Sequence, residues 1–483
     1  MTLRIAEDGA GAIPWRTALP ILAGAVVAAV VLLAGSNLLA DADTYWHLTV
    51  GQWILDHRAF PTADAFSFTF PGAHWIAKEW LSQVLYAAAY GLGGWQAMAI
   101  LAAVSVGLAF ALLARWLDAG FNLTVTLVFL AVAFVLVTPH LTARPHALAL
   151  PVMIAWVGGL VRATDRAEAP SPWLLPLMVL WANLHGGFTL GILLVGACGL
   201  EAILSARPEH RIRTAMVWVR FGVLTLVAAS ITPYGPESML VTFRILGLGS
   251  ALTIIGEWQP KDFSHIGVFE VLLLLAIGFA LYRGVVFRPA RILILLGLVH
   301  LALSAERNSE ILGLLAPLFL AAPVARQFPS LRPAAAPPQP GAVRAVMGIS
   351  AIALIAVVAT AAVTSAEPSS RITPAAAVAA LQKASVARIL NAYDFGGYLI
   401  RSGIPTFIDG RSELYGAAFI TRYYRAITLS DLDDFVRLLD EYRIGGTLLP
   451  PGTSAIAFLD RLPGWHRLYA DDLAVVHVRD TAP

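Results

Sequence analysis

Residues 41–70 read DADTYWHLTVGQWILDHRAFPTADAFSFTF, and they follow at once on Pro20 to Ala40, a run without a single charged side chain. A bilayer core needs roughly 20 apolar residues per spanning helix. The run therefore reads as a first membrane helix, and the acidic, aromatic stretch after it as the start of a loop at the membrane surface. Working outward, apolar runs recur at Trp95 to Ala114, Phe121 to Val137, His146 to Val161, Phe188 to Leu204, Phe221 to Ile231, Val268 to Leu281, Ile292 to Leu303, Ile311 to Ala325 and Val346 to Val363. With the shorter Trp173 to Trp181, the expectation is a polytopic helical bundle of about eleven spans. Composition agrees: 58% of residues are apolar and 13% charged, with a mean hydropathy of +0.73, far from the mix of a soluble domain.

Charge sorts the loops. Arg4 and Arg16 precede the first run, which is too long for a cleaved leader and reads as an uncleaved helix. Alternate threading puts most arginines of the loops, Arg115, Arg162, Arg207, Arg283 and Arg326 among them, on the side of Arg4. By the positive-inside rule that side is cytoplasmic. The expected location is the inner membrane, with a cytoplasmic N-terminus and residues 41–92 as the first external loop. Cytoplasmic loops hold arginine and little else, as topology signals do. A net charge of +2 is too small to imply a nucleic-acid partner, and the single cysteine, Cys198, rules out an intrachain disulfide or a cysteine-cluster metal site.

Two shifts in composition divide the chain. QFPSLRPAAAPPQPG, from 327 to 341, reads as an extended linker before the last span. Residues 1–365 then form the membrane domain. After Ala366 no long apolar run occurs, and 366–483 read as a small extracytoplasmic α/β domain. Its expected strands are ARILNA, PTFID, GGTLLP and LAVVHV, and its helices FITRYYRAI, DDFVRLLDEY and AIAFLDRL.

Polar side chains collect on the external side. The first loop offers Asp41, Asp43, His47, Lys78 and Glu79; TPHLTARPHALALP offers Arg144 and His146; WANLHGGFTLG offers Asn183 and His185; later loops offer Glu257 and, within ERNSE, Arg307. Polar groups at such depths are expensive in lipid and face a cavity or one another. The plain reading of Asp41 and Asp43 is helix capping. The functional reading makes one a general base and the other its helper, or makes the pair ligands of Mg or Mn, with His47 beside them. Arg144 precedes Pro145, so it stands in extended geometry, where a guanidinium suits bidentate phosphate binding. Lys78 and Glu79 could contact a lipid phosphate and its attached group, or form only a surface pair. Asn183 and His185 could equally be packing residues, and Asp56, His57 and Asp64 read as solvated loop and cap residues.

The set DADTYWHLTVGQWIL, KEWL, ARPH, WANLHGGFTLG, TPYG, EWQP and NAYDFGGYLI with FIDGRSELYG resembles a bacterial branch of the fold-C (GT-C) membrane glycosyltransferases, the class of the protein mannosyltransferases and aminoarabinose transferases. The resemblance implies transfer of a sugar from a polyprenyl-phosphate carrier, on the external face, to a lipid, glycan or protein acceptor, usually with inversion. It implies Asp41 or Asp43 as the catalytic acidic residue. Fewer spans and the small α/β tail set this chain apart from better-known members. A lipid or glycan flippase would place its polar groups near mid-membrane, and a non-catalytic envelope scaffold would not gather them on one side.

Overall fold

A computed structural model of the chain describes residues 15–332 except 255, parts of 348–362, and 366–480. The expected last span at Val346 to Val363 lies in part outside the described residues, and Arg4 and the linker from 333 onward lie outside them.

The membrane region is built from α1 (Trp15–Leu33), α2 (Asp43–His57), α3 (Trp80–Asp118), α4 (Leu123–Val137), α5 (Pro145–Arg166), α6 (Leu175–Leu184), α7 (Phe188–Ser205), α8 (Arg211–Ala229), α9 (Glu237–Leu246), α10 (Val268–Arg283), α11 (Pro289–Ser304) and α12 (Ser309–Gln327). Among the described residues six helices are long and apolar enough to cross a membrane, and three more apolar helices are shorter. The chain is a multi-pass membrane protein. The expected short span Trp173 to Trp181 falls on α6, which has 10 residues, about 15 Å of rise against a core of about 30 Å. α3 runs through both the amphipathic stretch after KEWL and the following apolar run, bent at Gly93 and Gly94, where Gly94 has φ 62° that only glycine adopts freely. Helices α1 and α3 cross at Gly24 and Gly107. A Cβ on either would meet the other's carbonyl oxygen, at 2.8 Å and 2.6 Å, the small-residue contact that lets membrane helices approach.

Arg291, which the alternate threading also puts on the side of Arg4, does more than mark topology. Arg291 is 1% exposed and donates to Glu201 on α7 at 2.8 Å, to Asp165 on α5 at 2.9 Å and to the Phe319 carbonyl on α12 at 2.7 Å. It ties four helices together, because a guanidinium in apolar surroundings must have its donors satisfied.

After residue 366 the chain forms a four-stranded sheet in the order β1 (Ile389–Asn391), β2 (Gly446–Leu449), β4 (Val475–Arg479), β3 (Trp465–Ala470). β1 and β2 are parallel, with Ile389 opposite Gly446; the other pairs are antiparallel. Three of the four expected strands appear. PTFID does not join the sheet: Thr406 pairs instead with the loop between α2 and α3, its N–H donating to the Phe66 carbonyl at 3.0 Å and its carbonyl accepting from Phe68 N–H at 3.1 Å. β3 was not expected, because WHRLYA shows no apolar/polar alternation and is mostly exposed.

The first loop and the C-terminal region are locked together by charge. Arg411 donates to Asp64 at 2.6 Å and to Asp409 at 2.7 Å and 2.8 Å, and Asp409 also accepts from Tyr415 Oη at 2.6 Å. All three charged side chains are fully buried. This corrects the reading of Asp64 as a solvated loop residue. Asp56 and His57 are indeed exposed, bonded only within α2.

Candidate functional site

The backbone places Arg144 first. It caps α5 with φ −112° and ψ 164°, the extended geometry that Pro145 imposes. From there its side chain reaches three carboxylates. Nη1 donates to Asp41 Oδ2 at 3.1 Å and to Glu257 Oε2 at 2.6 Å, and Nη2 donates to Asp43 Oδ2 at 2.8 Å. Arg307 Nη1 donates to the other Glu257 oxygen at 2.8 Å, and its guanidinium lies over the Trp258 ring, 4.7 Å from the centroid. Arg307 thus pairs across loops, and its neighbours in ERNSE are not its partners. Glu257 alone bridges the two arginines.

Capping and the functional arrangement coexist at Asp41 and Asp43. Asp41 Oδ1 accepts from the Asp43 backbone N–H at 2.9 Å, and Asp43 Oδ1 accepts from Trp46 Nε1 at 2.9 Å. Burial pushes the Asp43 carboxyl up to about 7; Arg144 opposes the shift, and Asp41 and Glu257 add to it. Burial also works against ionised Glu257, but Arg144 and Arg307 outweigh it and hold that carboxyl below its usual range. With three carboxylates about one guanidinium, the most buried one keeps its proton longest.

A cavity of about 250 Å³ opens beside this cluster. Asp41, Arg144, Glu257, Arg307, His146 and His185 all line it, while Met153, Trp181, Leu190 and Ile311 give it an apolar wall. His185 stands at the end of α6, where the chain turns through Gly186 and Gly187 into α7. Its Nδ1 accepts from Gly187 N–H at 3.1 Å, which leaves Nε2 facing Glu79 Oε1 at 3.5 Å. Glu79 also stands 3.9 Å from His47 Nε2, whose Nδ1 accepts from Gln83 at 3.1 Å. Burial, with Arg307, Lys78 and Arg144 nearby, holds His185 well below the ordinary histidine range; burial and Arg144 do the same for His47. Both are neutral near pH 7, suited to donate or accept a hydrogen bond and not to carry charge.

Five expected residues do not line the cavity: Asp43, His47 and Glu79 stand behind it, and Asn183 and Lys78 are engaged elsewhere. Asn183 accepts from Trp80 Nε1 at 2.7 Å and donates to the Val179 and Ile231 carbonyls at 2.7 Å and 2.9 Å, so its amide is used up in joining helices. Lys78 donates to Glu413 Oε1 at 3.1 Å, an oxygen 3.3 Å from Trp75 Nε1. Burial lowers the lysine pKa, but Glu413 and Glu79 more than reverse it. Sequence reasoning also missed contributors. Glu310, in α12, lines the cavity. Gly410 of FIDGR packs on the site: a Cβ there would fall on Asp43 Oδ1, and a Cβ at Gly397 would fall on the Ala42 carbonyl. The repeated glycines of NAYDFGGYLI and FIDGR were the available signal, since close backbone approach is what glycine permits.

As for a cation, Arg144 stands between the Asp41 and Asp43 carboxylates where an ion bridging them would sit. Among the described residues no three His, Cys, Asp or Glu side chains converge to hold a metal.

No protein-family model matches the chain, and no curated protein sequence does. Solved structures do. The chain is similar to the archaeal oligosaccharyltransferase AglB from Archaeoglobus fulgidus in complex with an inhibitory peptide and a dolichol-phosphate, at 10% identity and a TM-score of 0.52, over 89% of this chain and 69% of that one. The apo form of the Archaeoglobus fulgidus oligosaccharyltransferase gives 0.50 at 10% identity, over the same shares. ArnT from Cupriavidus metallidurans bound to undecaprenyl phosphate gives 0.44 at 15% identity, over 94% of this chain and 97% of that one. At such identities the likeness speaks to the fold alone, which the chain shares with the Archaeoglobus fulgidus oligosaccharyltransferase.

Proposed function

We propose that the chain moves a sugar from a polyprenyl-phosphate carrier to an envelope acceptor, on the extracytoplasmic face of the bacterial inner membrane, within a bundle of about eleven spans. The observation that carries the reading is the pair Arg144 and Arg307, which share the single anionic group of Glu257 at a cavity that Asp41 also lines. Two guanidiniums holding one carboxylate form a site for a phosphate. That solved GT-C structures hold dolichol-phosphate or undecaprenyl phosphate, as their names state, supports the same class of carrier.

In this mechanism the carrier's phosphate displaces Glu257 and lies between the arginines. Asp41, which lines the cavity where Asp43 does not, accepts the proton of the acceptor's hydroxyl or amine as that atom attacks the anomeric carbon. The bond from that carbon to the phosphate oxygen breaks with its electron pair going to the phosphate, whose charge Arg144 and Arg307 neutralise. Attack opposite the leaving group inverts the anomeric centre. Asp43 orients Arg144. The C-terminal region, packed on Ala42 and Asp43 through Gly397 and Gly410, would close the acceptor side; the domain boundary near 366 is part of this proposal. His47, His146, His185, Lys78 and Glu79 would shape and hold the site.

Replacing Asp41 and Asp43 singly by Asn tests these roles in a transfer assay with a radiolabelled polyprenyl-phosphate sugar. Asp41→Asn is expected to lose about 10²–10⁴ in kcat, and full activity in both variants would refute the assignment. The Asp43 carboxyl loses its proton as pH rises through about 7, completing its ion pair with Arg144. Activity should therefore rise through that pH in the native protein, and Asp43→Asn should remove the inflection. Mg or Mn on Asp41 and Asp43 would have to displace Arg144. Transfer is accordingly expected to persist in EDTA, and a loss restored by added Mg or Mn would assign the pair to a cation.

A further inference from the structure

Glu310 lies in the first turn of α12 and is 6% exposed. Its Oε2 is buried without a hydrogen-bond partner, and Oε1 receives no hydrogen bond among the described residues. The neighbouring His146 Nε2 is 3.6 Å away and already donates to the His140 carbonyl at 3.0 Å. His140 Nε2 is likewise buried with no partner, and both residues line the cavity beside Arg144 and Arg307. A buried carboxyl group left without hydrogen-bond partners costs free energy unless a ligand supplies them. The phosphate already has Arg144 and Arg307 for partners. What remains is the group that the phosphate carries.

We infer that Glu310 reads the sugar of the carrier lipid, and that the cavity takes one pyranose ring and not an oligosaccharide. The inference rests on the carrier reading above. About 250 Å³ is below the roughly 300–1,000 Å³ of pockets for drug-sized ligands, which leaves room for a single ring. Trp181, Met153 and Leu190 offer an apolar wall to the ring's C–H face, while Glu310 accepts from a ring hydroxyl or ammonium. His140 and His146 complete the polar edge. With the phosphate on Arg144 and Arg307, the sugar points inward and its anomeric carbon lies at the mouth, near Asp41.

The test is lipid binding to the intact, detergent-purified protein, with two probes: undecaprenyl phosphate, and undecaprenyl phosphate esterified to one neutral hexose or one amino sugar. The native protein should bind one of the glycosylated lipids about tenfold or more tighter than the bare lipid. Glu310→Gln should keep the affinity for bare undecaprenyl phosphate and lose that increment. Leu190→Phe, which narrows the cavity without touching the carboxylate, should do likewise. The neutral and amino esters separate a hydroxyl from an ammonium as the group recognised. An increment unchanged in both variants, or no increment in the native protein, overturns the inference and leaves the phosphate site standing. Failure of the native protein to bind even the bare lipid overturns the carrier reading and this inference with it.

Discussion

Arg144→Ala is expected to abolish transfer and to weaken the fold. The guanidinium holds Asp41, Asp43 and Glu257 at 2.6–3.1 Å with 16% of its side chain exposed. Its removal leaves Arg307 as the one cation facing Glu257, and none facing the Asp41 and Asp43 pair. Loss of one preorganised group that neutralises a leaving phosphate costs about 10²–10³ in kcat, and loss of the hold on Asp41 adds to it. Breaking a buried ion pair by removing one partner costs about 3–5 kcal/mol, so thermal unfolding should move down as well. Arg144→Lys separates the effects: it keeps the charge but cannot reach three carboxylates at once. That variant should fold normally and still lose most of its turnover. A Lys variant with native kcat would remove Arg144 from the mechanism.

Arg411→Ala should have the largest effect on stability. Asp64 and Asp409 would be left fully buried without their cation, at about 3–5 kcal/mol. The first loop and the C-terminal region would then part, and Gly410 would leave Asp43. Thermal unfolding in detergent reads the first effect and transfer the second. Gly410→Ala distinguishes placement from stability, because its Cβ meets the Asp43 carboxylate. It should cost far more in turnover than in unfolding temperature. Unchanged transfer in Gly410→Ala would show that the C-terminal contact does not position the site.

Much of the fold was legible because its signals are local. Apolar runs, loop arginines and the Arg144-Pro145 dipeptide each carry their meaning within a few residues, and the helices and the extended Arg144 follow from them. What the sequence hid is pairing at a distance. Asp64 and Arg411 are 347 positions apart, and nothing in either neighbourhood tells that they meet. Glu257 was legible as an external carboxylate, but not as the bridge between two arginines. Asn183 looked chemical and is structural, since a buried amide at a helix end has three hydrogen bonds to satisfy. Glu310 failed for the opposite reason: it was one more carboxylate of ERNSE, and only the folded chain shows that its buried Oε2 has no hydrogen-bond partner among the described residues. Arg291 looked like a topology signal until α5, α7 and α12 were seen to supply its acceptors.

The most direct test of the central claim is the affinity of the purified protein for polyprenyl-phosphate sugar, measured on the native chain and on a double variant, Arg144→Lys with Arg307→Gln. The account predicts that the native protein binds the lipid in the micromolar range or tighter and that the double variant loses at least about tenfold. Equal affinity in the two proteins, or no binding by the native one, would contradict it.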